Sequence, residues 1–182
     1  MVARHDIKPV PVYVDSPLAV NTTDVFRRHT ECFDEETRAF VQQNRHPALE
    51  FSQLTYVRSV DESKALNERK DPMIIISASG MAEAGRILHH LANNISDEKN
   101  IILIVGYMAE HTLGRRLVEK ARVVKIFGEE YHRRAKIEIF GALSAHADRD
   151  EMIGYFERCG IGRIKRAFCV HGEPDVLGPF TN

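Results

Sequence analysis

Apolar residues in this chain fall into short runs separated by segments with helical spacing, and that alternation sets the first expectations. Residues 10–14 read as a strand, and Asp15-Ser16-Pro17 supplies a turn and cap before a helix reaching about Arg28. A second amphipathic helix is predicted over 34–43, where Asp34-Glu35-Glu36 places negative charge at the positive end of the helix dipole. Residues 46–56 show no periodicity and read as irregular. Ser59-Val60-Asp61-Glu62 caps another helix, which ends near Arg69 ahead of the stop Asp71-Pro72.

Residues 73–76 are continuously apolar, the pattern of a central strand covered on both faces. They feed the small-residue turn Ser77-Ala78-Ser79-Gly80-Met81 and a helix over 82–93. Residues 101–105 repeat the theme, with Gly106-Tyr107 as the turn and 112–120 as the helix. Three strand–helix units in succession imply an α/β fold, with parallel strands joined by right-handed crossovers and flanked by helices. From Val123 the character changes. Residues 123–127 and 133–140 look like strands of a sheet exposed on one side, which places a boundary near Ala121. A helix over 148–159 and a last strand over 164–170 complete the expected order.

Composition narrows the class. A chain of 182 residues, 43% hydrophobic and 28% charged, has the make-up of a globular protein with a real core. Nothing in it approaches the ~20 consecutive apolar residues of a membrane span, and the start carries no apolar leader, so no membrane partner and a cytoplasmic location are expected. Cys32, Cys159 and Cys169 form no C-x-x-C pair, which argues against a disulfide framework or a cysteine-built zinc site. A net charge of −1 excludes a globally basic nucleic-acid binder but not a basic face. Arg115, Arg116, Lys120, Arg122, Lys125, Arg133, Arg134 and Lys136 crowd one stretch; they suit either solvated faces or a phosphate-tracking groove.

Two kinds of position carry candidate chemistry. The Ser77–Gly80 turn joins a buried strand to a helix amino terminus, where outward N–H groups and the helix dipole favour an anion; tight α/β connections also need such turns for geometry alone. His146 and His171 each follow a strand-like run in a segment of small residues, a placement that presents an imidazole at the carboxyl end of a sheet. Strand ends facing solvent are the plain alternative. Asp148 either orients the His146 imidazole or caps the next helix.

Taken together, Asp15-Ser16-Pro17-Leu18-Ala19, the run from Ser77 to His90, Gly106-Tyr107, Thr112-Leu113-Gly114-Arg115, Ser144-Ala145-His146-Ala147-Asp148 and Val170-His171-Gly172-Glu173 resemble the β-CASP family of metallo-β-lactamase-fold RNA-processing nucleases. The resemblance covers nearly the whole chain in the family's order. It implies a Rossmann-like β-CASP domain over 1–121 and the carboxyl-terminal part of a metallo-β-lactamase αβ/βα domain over 122–182, with RNA running between the two. It also implies that His171 ligates one of two zinc ions, and that His146 contacts the scissile phosphate and protonates the leaving oxygen while Ser144 helps hold it. Ser77, Ser79, Gly80, Arg86, Arg115 and Ser144 become the expected contacts to RNA phosphates. Such a site hydrolyses phosphodiesters, endonucleolytically or from the 5′ end.

The departure from the family is as informative as the match. The family's amino-terminal H-x-H-x-D-H loop has no counterpart here, and one histidine cannot hold a zinc that takes about four ligands. The expectation is therefore a fragment without its amino-terminal metallo-β-lactamase half, inactive alone, whose uncovered surface makes a homodimer one candidate assembly. A non-catalytic module that binds RNA backbone is the competing reading. A mononucleotide-binding domain is a third, disfavoured by the lack of G-x-G-x-x-G or G-x-x-x-x-G-K-[ST].

Overall fold

A computed structural model describes residues 8–44, 50–141, 147–169, 172 and 178. The chain divides into two compact units, Met1–Ser144 and Ala145–Asn182.

In the first unit, β1 (Val12–Asp15) leads through the N-cap Ser16, whose side chain accepts from Ala19 N, into α1 (Pro17–Arg28) with proline in its first turn. After α2 (Glu35–Asn44) comes β2 (Leu54–Tyr56), inside the stretch expected to be irregular. Three residues are too few for a periodic signal; β2 exists because it pairs with β1, Leu54 opposite Val12 and Tyr56 opposite Val14. Next comes α3 (Val60–Glu68), entered through a full capping box: Ser59 accepts from Glu62 N and Glu62 accepts from Ser59 N.

β3 (Ile74–Ser77) lies parallel to β1 on the side opposite β2, giving the order β2-β1-β3. It is not covered on both faces. Ile74 and Ile76 are 51% and 52% exposed, so the apolar run presents alternate residues to solvent. The following helix, α4 (Arg86–Asn94), begins later than the sequence suggests. The cause is Gly85, at φ 85° and so close to Ala78 that a Cβ would stand 2.7 Å from its carbonyl oxygen. Residues 78–85 are therefore a folded loop, closed by Ser79 N to Ala84 O (3.1 Å) and Ile87 N to Ala78 O (3.2 Å).

β4 (Ile101–Ile104) and α5 (Leu113–Val118) form the next unit, and β5 (Val123–Ile126) and β6 (Glu129–His132) form an antiparallel hairpin. Its two-residue turn, Phe127-Gly128, has φ 52° and 86°, as a type I′ turn requires, and Phe127 lies 4.7 Å from the His89 ring on α4. β7 (Lys136–Ile139) then pairs parallel with β4, Ile102 opposite Ile137. The core sits between these strands and α4 and α5: Leu91, Ile95, Ile104, Leu113, Leu117, Val124, Ile126 and Ile137 are all buried.

In the second unit, α6 (Arg149–Arg158) starts at Asp148, which accepts from Glu151 N at 2.9 Å in a reciprocal capping box; the cap reading of Asp148 is the one the structure supports. Residues 164–169, expected to be strand, are not in one. Phe168 there is 80% exposed, and among the described residues no strand pairs with this segment to take up its backbone groups.

Candidate anion-binding face and its polar anchor

β1 and β3 run side by side in one direction, so the turns that follow them emerge at the same end of the sheet. Asp15 is opposite Ser77 in the register, and Ser77 Oγ donates to the Asp15 carbonyl at 2.9 Å, tying the Asp15–Pro17 turn to the Ser77–Gly80 turn. In open α/β sheets, ligands bind at the carboxyl ends of the strands.

The 77–85 loop directs part of its backbone inward. The N–H groups of Ser79, Ala82 and Ala84 bond to Ala84 O, Ser79 O and Ser79 Oγ, while Gly80 is exposed with open space around its Cα. The loop also seats α5: Gly114 N donates to Met81 O at 3.0 Å, Glu83 caps Leu113 N, and a Cβ on Gly114 would stand 2.9 Å from the Met81 carbonyl oxygen. Arg115, one residue on, directs Nε to Glu119 at 2.8 Å and lines an open hollow of about 430 Å³ with Glu110, His111 and Arg116.

Beneath the two turns is an arrangement that sequence reasoning missed. Because Ser16 is the cap, the Asp15 carboxylate is released into the interior, where it is wholly buried. Its Oδ1 accepts from Arg86 Nη1 at 2.6 Å; its Oδ2 accepts from Ser63 Oγ and from His90 Nε2, each at 2.6 Å. His90 Nδ1 lies 2.9 Å from Asn67 Oδ1. Arg86 and His90 are four apart on α4, and Ser63 and Asn67 are four apart on α3, so each pair projects from one helix face. That double spacing, facing an aspartate at the end of a strand, is the signal that could have found the cluster. Burial pushes the Asp15 carboxyl pKa up. The hydrogen bonds from Ser63, His90 and Arg86, with the Arg86 charge, outweigh it and hold the value below the ordinary aspartate range.

The expected site residues thus fall into three groups. Ser77, Ser79, Gly80 and Arg86 come together at the carboxyl ends of β1 and β3, and Arg115 stands at the amino end of α5, which packs on the same loop. Ser144, His146 and His171 lie outside the described residues. The basic run from 115 to 136 is largely engaged locally: Arg116 and Arg133 bond backbone carbonyls, and Lys125 and Lys136 pair with Glu130 and Glu138. Among the described residues, no group of three or more His, Cys, Asp or Glu side chains is placed to hold a metal ion.

Parallel strands with helices packed against them, and loops gathered at the strands' carboxyl ends over a buried acid that bonds an arginine, define an α/β lobe with a parallel sheet flanked by helices. Family comparison is more specific. The Beta-Casp domain model matches residues 1–117, and that of the Zn-dependent metallo-hydrolase RNA specificity domain matches 130–182. The chain belongs to the β-CASP family of the metallo-β-lactamase fold. It is 35% identical over 173 residues to Ribonuclease TTHA0252 of Thermus thermophilus, covering 95% of this chain and 39% of that protein. It is 31% identical to an RNase J-like protein of Methanocaldococcus jannaschii, covering 92% of this chain and 37% of that one, and 26% identical to Endoribonuclease YSH1 of Candida glabrata, covering 93% and 21%. The chain therefore spans well under half the length of these relatives.

Proposed function

We propose that this chain belongs to a zinc-dependent ribonuclease that hydrolyses RNA phosphodiester bonds, residues 1–121 binding RNA and 122–182 contributing to the catalytic part. One observation carries the reading: two turns and an arginine converge at the carboxyl ends of β1 and β3, in a chain whose relatives bear ribonuclease names. Ser77, Ser79, Gly80, Arg86 and Arg115 are the backbone contacts. Ser144 holds the scissile phosphate and His146 protonates the leaving oxygen, a placed acid being worth roughly 10²–10⁴-fold. His171 is one zinc ligand, and an ion that takes about four donors finds the others outside this chain. By itself the chain binds RNA and does not cleave it.

Affinity for a single-stranded oligoribonucleotide, titrated across salt concentration, tests the binding. It should fall steeply as salt rises; indifference to salt rejects a backbone-tracking face. For the metal, the purified chain should hold zinc well below one ion per molecule, and tight stoichiometric zinc contradicts the division of ligands. In a form with a complete metal site, His146→Ala and His171→Ala should each suppress hydrolysis, and unchanged turnover removes their assigned roles.

A further inference from the structure

Asp15 cannot itself touch a ligand, since both its oxygens are engaged and its side chain has no exposed surface. Arg86 can. Its side chain keeps 16% exposure, and Nη1 is used on Asp15 Oδ1 and Val57 O while Nη2 gives one bond to Arg58 O. Among the described residues, Nε–H and the second Nη2–H take no partner. That edge of a guanidinium is the fork that matches two oxygens of a phosphate.

We infer that Asp15 and His90 are positioning residues for Arg86, holding its Nε/Nη2 edge toward an RNA phosphate at the carboxyl ends of β1 and β3. The inference rests on the RNA-backbone reading and adds a mechanism to it. His90 is 5% exposed, and it and Ser63 both hold the same carboxylate oxygen, Asp15 Oδ2. With Oδ2 held twice, Oδ1 has one place to be, and the guanidinium that bonds it has one orientation.

A purely structural knot is the competing account. Taking an aspartate and an arginine out of water is costly, and well-packed apolar residues of similar volume often serve stability as well or better. The location also matters: the knot lies at the strand ends where the two turns meet, whereas the rest of the unit is held by an apolar core.

The test is a coupling experiment on the full 182-residue chain with a fluorescent single-stranded oligoribonucleotide, each variant being followed in parallel by thermal unfolding. Arg86→Ala should weaken binding about tenfold or more and lower the salt slope by about one. His90→Leu should weaken it several-fold, and His90→Gln, which keeps a donor near the place of Nε2, should restore most of the loss. In the Arg86→Ala background, His90→Leu should cost no further affinity although it still lowers the melting temperature. Ser63→Ala removes one of the bonds to Asp15 with less disturbance to the fold; its smaller affinity loss should likewise vanish without Arg86. If the His90 and Ser63 effects on affinity are the same with and without Arg86, or if folded variants bind as wild type does, the positioning role is overturned and the knot is structural. If wild type binds no RNA, or Arg86→Ala changes neither affinity nor slope, the backbone reading falls and the inference falls with it.

Discussion

The first compact unit is held together in two different ways. Around β4, β5 and β7 the interior is apolar: Ile95, Leu117, Val124 and Ile126 are at most 1% exposed and pack hydrocarbon against hydrocarbon. Around β1, α3 and α4 the deepest residue is a carboxylate, and what surrounds it is a serine, a histidine and an arginine. The apolar side is tolerant in chemistry and demanding in volume. The polar side is the reverse, because each partner removed leaves a buried charge or polar group short of a bond. Adhesion is sufficient to explain the first. The second lies where the proposed ligand binds.

The contrast can be broken most sharply at Asp15. Replacing it with alanine leaves the largely buried Arg86 without its counter-charge and the buried His90 without its hydrogen-bond partner, and should cost about 3–5 kcal/mol of unfolding free energy, read by chemical denaturation. It should also remove a pH dependence. The folded pKa of Asp15 is depressed, so its contribution to stability is complete above about pH 5 and is lost as acid takes the pH down through the folded value. Wild type should lose that increment on acidification, while Asp15→Ala should not. On the apolar side, Leu117→Ala should cost about 2–5 kcal/mol, with no change in that acid-linked component or in the salt dependence of RNA binding.

Smaller effects sharpen the same division. Gly114→Ala forces a Cβ against the Met81 carbonyl and the Met108 sulfur; it should cost about 1–3 kcal/mol and disturb the 77–85 loop, lowering RNA affinity as well as stability. His111 sits at φ 64°, a left-handed conformation that histidine adopts at a cost. His111→Gly should raise stability by up to about 1 kcal/mol, measurable as a small increase in melting temperature.

Much of this was legible in the chain. Ser16, Ser59 and Asp148 announce their helices, because a capping side chain is a local device visible in a few residues. The parallel α/β class followed from the alternation of apolar runs and helical segments. What was not legible depends on partners distant in sequence. β2 is made by its pairing with β1; the β5–β6 hairpin turns on Phe127-Gly128 and lacks the Asn-Gly signal; and Ile74 and Ile76 show that a continuous apolar run does not guarantee two covered faces. The Asp15 cluster was hidden for the same reason. Asp15 reads as a turn residue and His90 as a helix residue until a structure brings them to 2.6 Å.

The proposed RNA-binding role of the carboxyl ends of β1 and β3 rests on Arg86, oriented by its bond to Asp15. The most direct test is the slope of log affinity for a single-stranded oligoribonucleotide against log salt concentration, compared between wild type and Arg86→Ala. Wild type should give a steep line, and the variant a line weaker throughout and shallower by about one, as backbone binding through Arg86 requires. Two superimposable lines from two equally folded proteins would contradict it.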